Sequence, residues 1–219
     1  MHQVHDWFLA HYEVLKDFAG PVVSLLGIVA ATVGAIFGFR SFEKWKREKL
    51  EERRIDIALE GLAIARESKY VFARIRNPNG FEGEWRSMPV REGESESDRS
   101  RRGTSFAILV RLKTDQDFFD RVSRFLPKAV ALFGDVVESV FERLELAESL
   151  VRDAAVQLTW QLPVHPEKPS KEDFDQRMQL RAYLWAGFGG KKDRVENGLE
   201  AFRSETEVFF RKIIKRESE

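Results

Sequence analysis

The chain has 219 residues, no cysteine, and 36 basic against 36 acidic residues. The lack of cysteine excludes disulfides, thiolate zinc sites, iron–sulfur clusters and cysteine nucleophiles, and the balanced charge excludes the overall basic field typical of nucleic-acid-binding proteins. This length is enough for one membrane segment and one soluble domain, and we expect no nucleic-acid partner.

Residues 1–18 form a short segment that precedes the first apolar run. Its apolar side chains recur three or four positions apart, which predicts a short extracytoplasmic interfacial helix with Trp7 and Tyr12 near the lipid headgroups. His2 and His5 stand three apart in this tail. No further ligand is fixed beside them, so we predict no metal site there.

Residues 19–39, AGPVVSLLGIVAATVGAIFGF, carry no charged side chain. At a rise of about 1.5 Å per residue this run matches a hydrocarbon core roughly 30 Å thick, which predicts one transmembrane helix. A cleaved signal peptide would have a basic region at the extreme N-terminus, whereas here the cluster of basic residues follows the run. The positive-inside bias therefore predicts an external N-terminus and a cytoplasmic C-terminal domain. We expect a single-pass protein of the bacterial inner (plasma) membrane.

Small residues recur along this run at alternating spacings of 4 and 3. They are Gly20, Ser24, Gly27, Ala31, Gly34 and Gly38, which occupy the a and d positions of a coiled-coil-like heptad. Stripes of small residues let membrane helices approach closely. We predict transmembrane packing through this stripe and hence a homo-oligomer, with a solitary helix as the alternative.

Residues 40–54, RSFEKWKREKLEERR, alternate in charge sign and contain neither glycine nor proline. Opposite charges four positions apart favour a helix, which predicts a charged juxtamembrane neck that continues the transmembrane helix. Its predicted membrane-interface anchors are Arg40, Lys44, Trp45, Lys46 and Arg47. We expect membrane lipid as a partner, although a solvated helix that obeys the positive-inside bias also explains the charges.

Residues 55–219 have the pattern of an all-α cytoplasmic bundle of about five helices, counting the inner end of the first. Residues 90–104 are rich in charge, serine and glycine, which predicts a flexible loop. The segment FAILVRL, residues 106–112, could be a strand by composition. We predict a helix, because Thr104 or Ser105 can cap it and the apolar spacing continues to Phe125.

The second half of the bundle is divided by prolines and glycines. Pro127 is expected to open a long helix that ends near Leu158, before the proline-rich turn of residues 163–169. Ser170 predicts the cap of the next helix, which glycines at 187, 189 and 190 end. The last predicted helix covers about residues 193–216.

The search for catalytic or metal-binding patterns in the bundle finds none. His165 is its only histidine, so the histidine-containing di-iron and zinc patterns are excluded. A row of glutamates at 138, 142, 145 and 148 is interspersed with arginines, which favours a solvated, salt-bridged face. The glycine-rich segment before Lys191 lacks the preceding strand and following hydroxyl of a phosphate loop. We expect neither cofactor nor metal.

One short match in the loop region has a regulatory interpretation. Arg101-Arg102-Gly103-Thr104 resembles a basophilic kinase target, although matches of four residues also arise by chance. We do not expect it to be used.

These observations predict a non-enzymatic single-pass membrane protein. Its helical cytoplasmic domain would serve as a scaffold, adaptor or signalling module, with a possible cytoplasmic protein partner. The alternative is a homo-oligomeric pore-forming or membrane-perturbing effector controlled by the bundle. An enzyme that uses carboxylates alone is a third hypothesis.

Overall fold

The structure is a computed structural model that describes residues 2–80, 82–162 and 170–215, without the side chains of residues 2–11, 13–19, 82 and 192. Its α-helices are α1 His2–Ile75, α2 Glu82–Trp85, α3 Glu96–Thr114, α4 Gln116–Phe133, α5 Asp135–Val156, α6 Lys171–Leu184 and α7 Arg194–Lys215. A π-helical turn covers Gln157–Gln161, and a 3₁₀ turn covers Gly190–Lys192. The described ranges contain no strand, which confirms the all-α prediction.

The chain divides into two compact units, Met1–Arg53 and Arg54–Glu219. In the first unit, the described side chains from Gly20 to Phe42 are all exposed. Among the described residues, one helix is long and apolar enough to cross a membrane; its most apolar window has a mean hydropathy of 2.3 and is not buried. The backbone is helical without interruption from His2, so residues 2–18 are not a separate short helix.

Residues 96–104 are helical, and the predicted loop at 90–104 is wrong over that part. Ser95 begins α3 as its N-cap, because its hydroxyl oxygen accepts the backbone N–H of Asp98 at 3.1 Å. Gly103 fits inside this helix because the ring of Trp85 lies on it; an added Cβ would stand 2.6 Å from that ring. Tertiary packing and a cap here outweigh a composition typical of loops.

The break between α4 and α5 lies at Gly134, not at Pro127 as the sequence predicts. Gly134 has a φ of 79°, a backbone conformation that glycine adopts far more readily than other residues. Pro127 lies inside α4 on its exposed side, where the carbonyl it leaves without an N–H partner can reach water. A second division, at Asp115, separates α3 from α4 where one helix is predicted.

Helix α5 is the centre of the second unit, since α3, α4, α6 and α7 all pack against it. Its buried side is Val137, Val140, Phe141, Leu144, Ala147, Val151, Ala154 and Ala155. The ring of Phe141 contacts the rings of Phe125 and Phe202, with centroids 5.2 and 5.0 Å apart. Gly61 on the inner end of α1 faces the ring of Phe210 on α7. The core therefore joins the end of α1 to the other helices.

Candidate functional site

Three arginines, Arg76, Arg102 and Arg111, are buried in the second unit, with exposed fractions of 1, 1 and 8 %. A buried guanidinium is costly unless carboxylates and carbonyls surround it, and each of these three has both. Their burial is not evident from the sequence, because an arginine close to other charges has the pattern of a solvated residue. They form a framework that fixes the loops around α3 and α6.

Arg76, just after α1, binds the start of α7. Its Nη2 donates to Oδ2 of Asp193 at 2.7 Å, and its Nε donates to the carbonyl oxygen of Tyr183 at 3.0 Å. Asp193 is itself buried, and its Oδ1 accepts the backbone N–H groups of Val195 and Glu196. One guanidinium thus connects the ends of α1 and α6 with the first turn of α7.

Arg111 of α3 holds the segment that follows α1. Its Nε and Nη2 donate to the two carboxylate oxygens of Glu84, both at 2.7 Å. Nη1 donates to the carbonyl oxygen of Asn77 at 2.6 Å, and Nη2 to that of Asn79 at 2.8 Å. Residues 77–79, where the chain leaves α1, are therefore fixed by a side chain from another helix.

Arg102 is buried next to a cleft that more exposed arginines line. It binds both carboxylate oxygens of Glu94, at 2.7 and 2.6 Å, and lies over the ring of Trp160 at 5.4 Å. The pKa of the Glu94 carboxyl is lowered, chiefly by the hydrogen bond from Arg102. Nη1 of Arg102 is buried and has no hydrogen-bond partner in the described part of the chain. Its burial within a helix also argues against the kinase-target interpretation of residues 101–104.

The π-helical turn that ends α5 lies next to Arg102. Nη2 of Arg91 donates to the carbonyl oxygens of Thr159 and Trp160, at 2.8 and 2.9 Å. These carbonyls belong to the last turn of a helix, where no following N–H group of the same helix donates to them. π-Turns are rare and recur at functional sites. Here the turn places Leu158 on the wall of a cleft.

This cleft, of about 300 Å³, opens between α3, α6 and the π-turn. Its described lining is Ser100, Arg101, Arg102, Thr104, Ser105, Leu158, Arg177, Arg181 and Trp185. Four of these residues are arginines and three carry hydroxyls, whereas none of the described lining residues is acidic. Trp185 also lines a neighbouring hollow with Phe188, whose ring meets it edge-on at 5.8 Å. The arrangement can hold an anion beside an aromatic surface.

The predicted packing stripe lies on a surface of α1 that the chain does not cover. A Cβ added at Gly20, Gly27, Gly34 or Gly38 would meet nothing within 4 Å. Ser24 and Ala31 are likewise exposed. Self-association through this stripe stays a prediction.

The predicted interface anchors Arg40, Lys44, Trp45, Lys46 and Arg47 are exposed on α1, and so is Tyr12. The ring of Trp45 packs against that of Phe42 with centroids 5.8 Å apart, and Lys44 lies 3.7 Å from Glu48. The side chain of Trp7 is outside the described residues. Whether these residues contact lipid stays a prediction.

The remaining candidates are surface or turn features. Glu148 pairs with Arg152 at 2.5 Å, and Arg143 pairs with Glu205 of α7 at 2.9 Å, as expected of a solvated, salt-bridged face. The glycines at 187 and 190 have positive φ values and lie in the turns after α6. His165 and the surrounding proline turn fall outside the described residues. Within the described ranges, no group of three or more acidic or histidine side chains is placed to hold a metal ion.

Comparison with known proteins gives no match to any family profile, curated protein or solved structure. Two features of this chain's own residues indicate a function: the exposed apolar part of α1, and the arginine-lined cleft of the second unit.

Proposed function

We propose that this chain is a non-enzymatic, single-pass membrane protein. Residues 19–39 act as its anchor, and its helical second unit serves as a scaffold, adaptor or signalling module. The observation that carries the proposal is the exposure of every side chain from Gly20 to Phe39. Soluble monomers rarely expose a contiguous apolar surface of this extent, whereas a lipid core stabilises it.

The charge distribution supports an orientation for the anchor. The segment before it has no basic cluster, whereas cationic side chains crowd the first turns after it. We propose an external N-terminus and a cytoplasmic second unit in the plasma membrane, following the positive-inside bias. The exposed Trp45 and its cationic neighbours then lie at headgroup level.

The second unit supports a binding role. Its buried arginines are paired with Glu84, Glu94 and Asp193, so these carboxylates serve the framework. On the surface of α5, Glu148 pairs with Arg152, and Arg143 pairs with Glu205 of α7. We propose that this helical unit binds a partner protein, a second copy of the chain or a small ligand.

A pore is the second candidate, because the uncovered stripe of small residues also suits an assembly of several α1 helices. The polar side chains of the span favour an anchor over a pore. Ser24 and Thr32 are the only hydroxyl residues in it, and the Thr32 hydroxyl donates to the carbonyl oxygen of Ile28 at 2.8 Å. Because this hydroxyl already donates to its own helix, its proton is not available to bind water along an ion pathway.

Membrane extraction tests the anchor. We expect the full chain to stay in membranes washed with alkaline carbonate. The double change Ile28→Asp/Val29→Asp should release it, because each acidic side chain at the centre of a span costs about 2.5–3.5 kcal/mol. The matched control Ser41→Asp/Phe42→Asp places the same charges outside the span and should stay in the membrane. Recovery of the unaltered chain in the soluble fraction would contradict the proposal.

Protease accessibility tests the orientation. An epitope joined to the N-terminus should be digested in intact spheroplasts, whereas an epitope joined to the C-terminus should be digested only after lysis. The reverse pattern would place the second unit outside the cell and contradict the cytoplasmic assignment.

A further inference from the structure

The arginine-lined cleft contains more positive charge than its structural role needs. Arg102 is already neutralised by Glu94 and serves the framework. Arg181 of α6 also lines the cleft, yet it is exposed and forms no ion pair with any described residue. Arg177 lies one helical turn before it on α6 and lines the same cleft. The exposed guanidinium of Arg181 is therefore the cation of the cleft that a bound anion would neutralise.

We propose that this cleft binds a phosphate ester, with the phosphate held by Arg177 and Arg181 and an attached planar ring placed against Trp185. Guanidinium groups bind phosphate through paired, charge-assisted hydrogen bonds, which makes arginine the preferred side chain for this chemistry. The hydroxyls of Ser100 and Ser105 lie in the same lining and can donate to the remaining oxygens.

Burial decides which arginines a ligand in the cleft can reach. The side chain of Arg102 is completely inaccessible and is paired with Glu94. Arg177 and Arg181 are more exposed and line the same cleft, so their guanidinium groups are the ones that a phosphate there can contact.

Size restricts the ligand to a small molecule. The cleft volume of about 300 Å³ lies at the lower end of small-molecule sites, which hold roughly 300–1,000 Å³. The balance of 36 basic and 36 acidic residues also gives the chain no overall basic field that would favour a polyanion.

Aromatic side chains beside the cleft indicate what accompanies the phosphate. Trp185 lines both the cleft and the neighbouring hollow, where Phe188 is 46 % exposed. Exposed tryptophan and phenylalanine rings stack with nucleobases irrespective of base identity. A nucleotide supplies both parts, a planar base and a phosphate. A phospholipid headgroup supplies the same phosphate without the ring.

Native mass spectrometry of the full chain, released from detergent micelles, tests the proposal with three probes. ADP carries ring and phosphate, ribose 5-phosphate carries phosphate alone, and dioctanoyl phosphatidic acid carries phosphate on a lipid. We expect one ADP adduct, weakened at least about tenfold in Arg181→Gln and further in Arg177→Gln/Arg181→Gln, as for lost charge-assisted hydrogen bonds. Glutamine keeps the helix propensity of α6 close to that of arginine.

The matched control is Arg211→Gln on α7, an exposed arginine paired with Glu207 and absent from the cleft lining. Its ADP affinity should equal that of the unaltered chain. A preference for ADP over ribose 5-phosphate assigns the site to a soluble nucleotide. A preference for phosphatidic acid with the same dependence on Arg181 assigns the phosphate to a lipid headgroup, and both results support a phosphate site.

Three results would overturn the proposal. They are the absence of any adduct at millimolar concentration, binding that the α6 substitutions leave unchanged, and an equal loss in Arg211→Gln. The last result would mean general electrostatic attraction. Because the cleft lies within the second unit, these outcomes are independent of whether residues 19–39 span a membrane.

Discussion

Arg76 and Asp193 form an ion pair in the interior of the bundle, with Nη2 and Oδ2 2.7 Å apart, although they lie 117 positions apart in the chain. Both side chains are almost completely buried, at 1 and 3 % exposure. A buried pair of this kind adds little net stability over an apolar pair of the same shape, but loss of one partner leaves an uncompensated buried charge. The pair therefore makes the fold depend on both residues together.

Replacement of Arg76 by methionine should lower the free energy of unfolding by about 3–5 kcal/mol, the usual cost of removing one member of a buried ion pair. Arg211→Met is the matched control, because Arg211 and Glu207 are each 53 % exposed. That exposed pair should contribute about 0–1 kcal/mol. Urea unfolding of the full chain in detergent, followed by tryptophan fluorescence, measures both. Equal losses in the two variants would contradict the assignment of Arg76 to the framework.

Glu94 should make the stability of the bundle sensitive to acid. Its folded pKa lies below the ordinary value of 4.5, so its contribution is complete above that value and is lost as the pH falls through the folded pKa. Glu94→Gln should lower the free energy of unfolding at neutral pH by roughly 1.5–3 kcal/mol and flatten its decline below pH 4.5. The measurement is urea unfolding as a function of pH.

Glu145→Gln is the control for this pH dependence, since Glu145 is an exposed carboxylate on α5. Its acid decline should match that of the unaltered chain. An unchanged acid decline in Glu94→Gln would show that the Arg102 pair is not the group whose protonation weakens the fold.

Gly61 should be intolerant of a methyl group. A Cβ at this position would stand 2.3 Å from Cε2 of Phe210, a buried ring that also contacts Phe125 and Phe133. Overpacking costs about 1–3 kcal/mol, whereas alanine gains about 1 kcal/mol of helix propensity. Gly61→Ala should therefore lose up to about 2 kcal/mol of unfolding free energy.

Gly83→Ala is the control and should not lower the stability, because a Cβ there meets nothing within 4 Å. Thermal unfolding should place its midpoint at or above that of the unaltered chain. A gain of stability in Gly61→Ala would show that α1 does not approach α7 as closely as the structure has it.

Gly27→Leu/Gly34→Leu tests self-association through the small stripe. We expect a defined oligomer of the full chain in nanodiscs and its loss in this variant, because two leucines prevent close approach of the helix backbones. Val22→Leu/Val29→Leu, also seven positions apart, enlarges another part of the helix and should keep the oligomer. Native mass spectrometry distinguishes these results. A monomer for the unaltered chain and both variants would make the segment an anchor without self-association. An oligomer for all three would exclude the small stripe as the surface through which the helices pack.

Local pattern predicted much of the fold from the sequence. The buried positions of α5, among them Val137, Leu144 and Val151, recur every three or four residues, a spacing that the sequence alone shows. Pro127 misled the prediction, because proline was assumed to begin a helix although an exposed site inside α4 accommodates it. The loop predicted from composition is also wrong at residues 96–104. There the cap by Ser95 and the packing of Trp85 stabilise a helix in a sequence rich in charge and serine.

The cleft could not be predicted in the same way. Arg102 and Arg181 stand on different helices, and nothing in their local sequences tells which side of each helix meets the other. The sequence also does not distinguish Arg102 from its neighbour Arg101, although Arg102 is buried and Arg101 is exposed. A weak signal did exist: a helix-capping serine at 95 beside a charge-rich run argues against disorder.

The contacts of Arg76 have a consequence for exchange of backbone hydrogens with solvent. Its guanidinium holds Asp193, and Asp193 accepts the N–H groups of Val195 and Glu196, which would otherwise be the unpaired first amides of α7. Helix ends normally fray and lose their deuterium protection first. The first turn of α7 should instead exchange as slowly as the centre of α5, so this end of the bundle opens only when the whole unit unfolds.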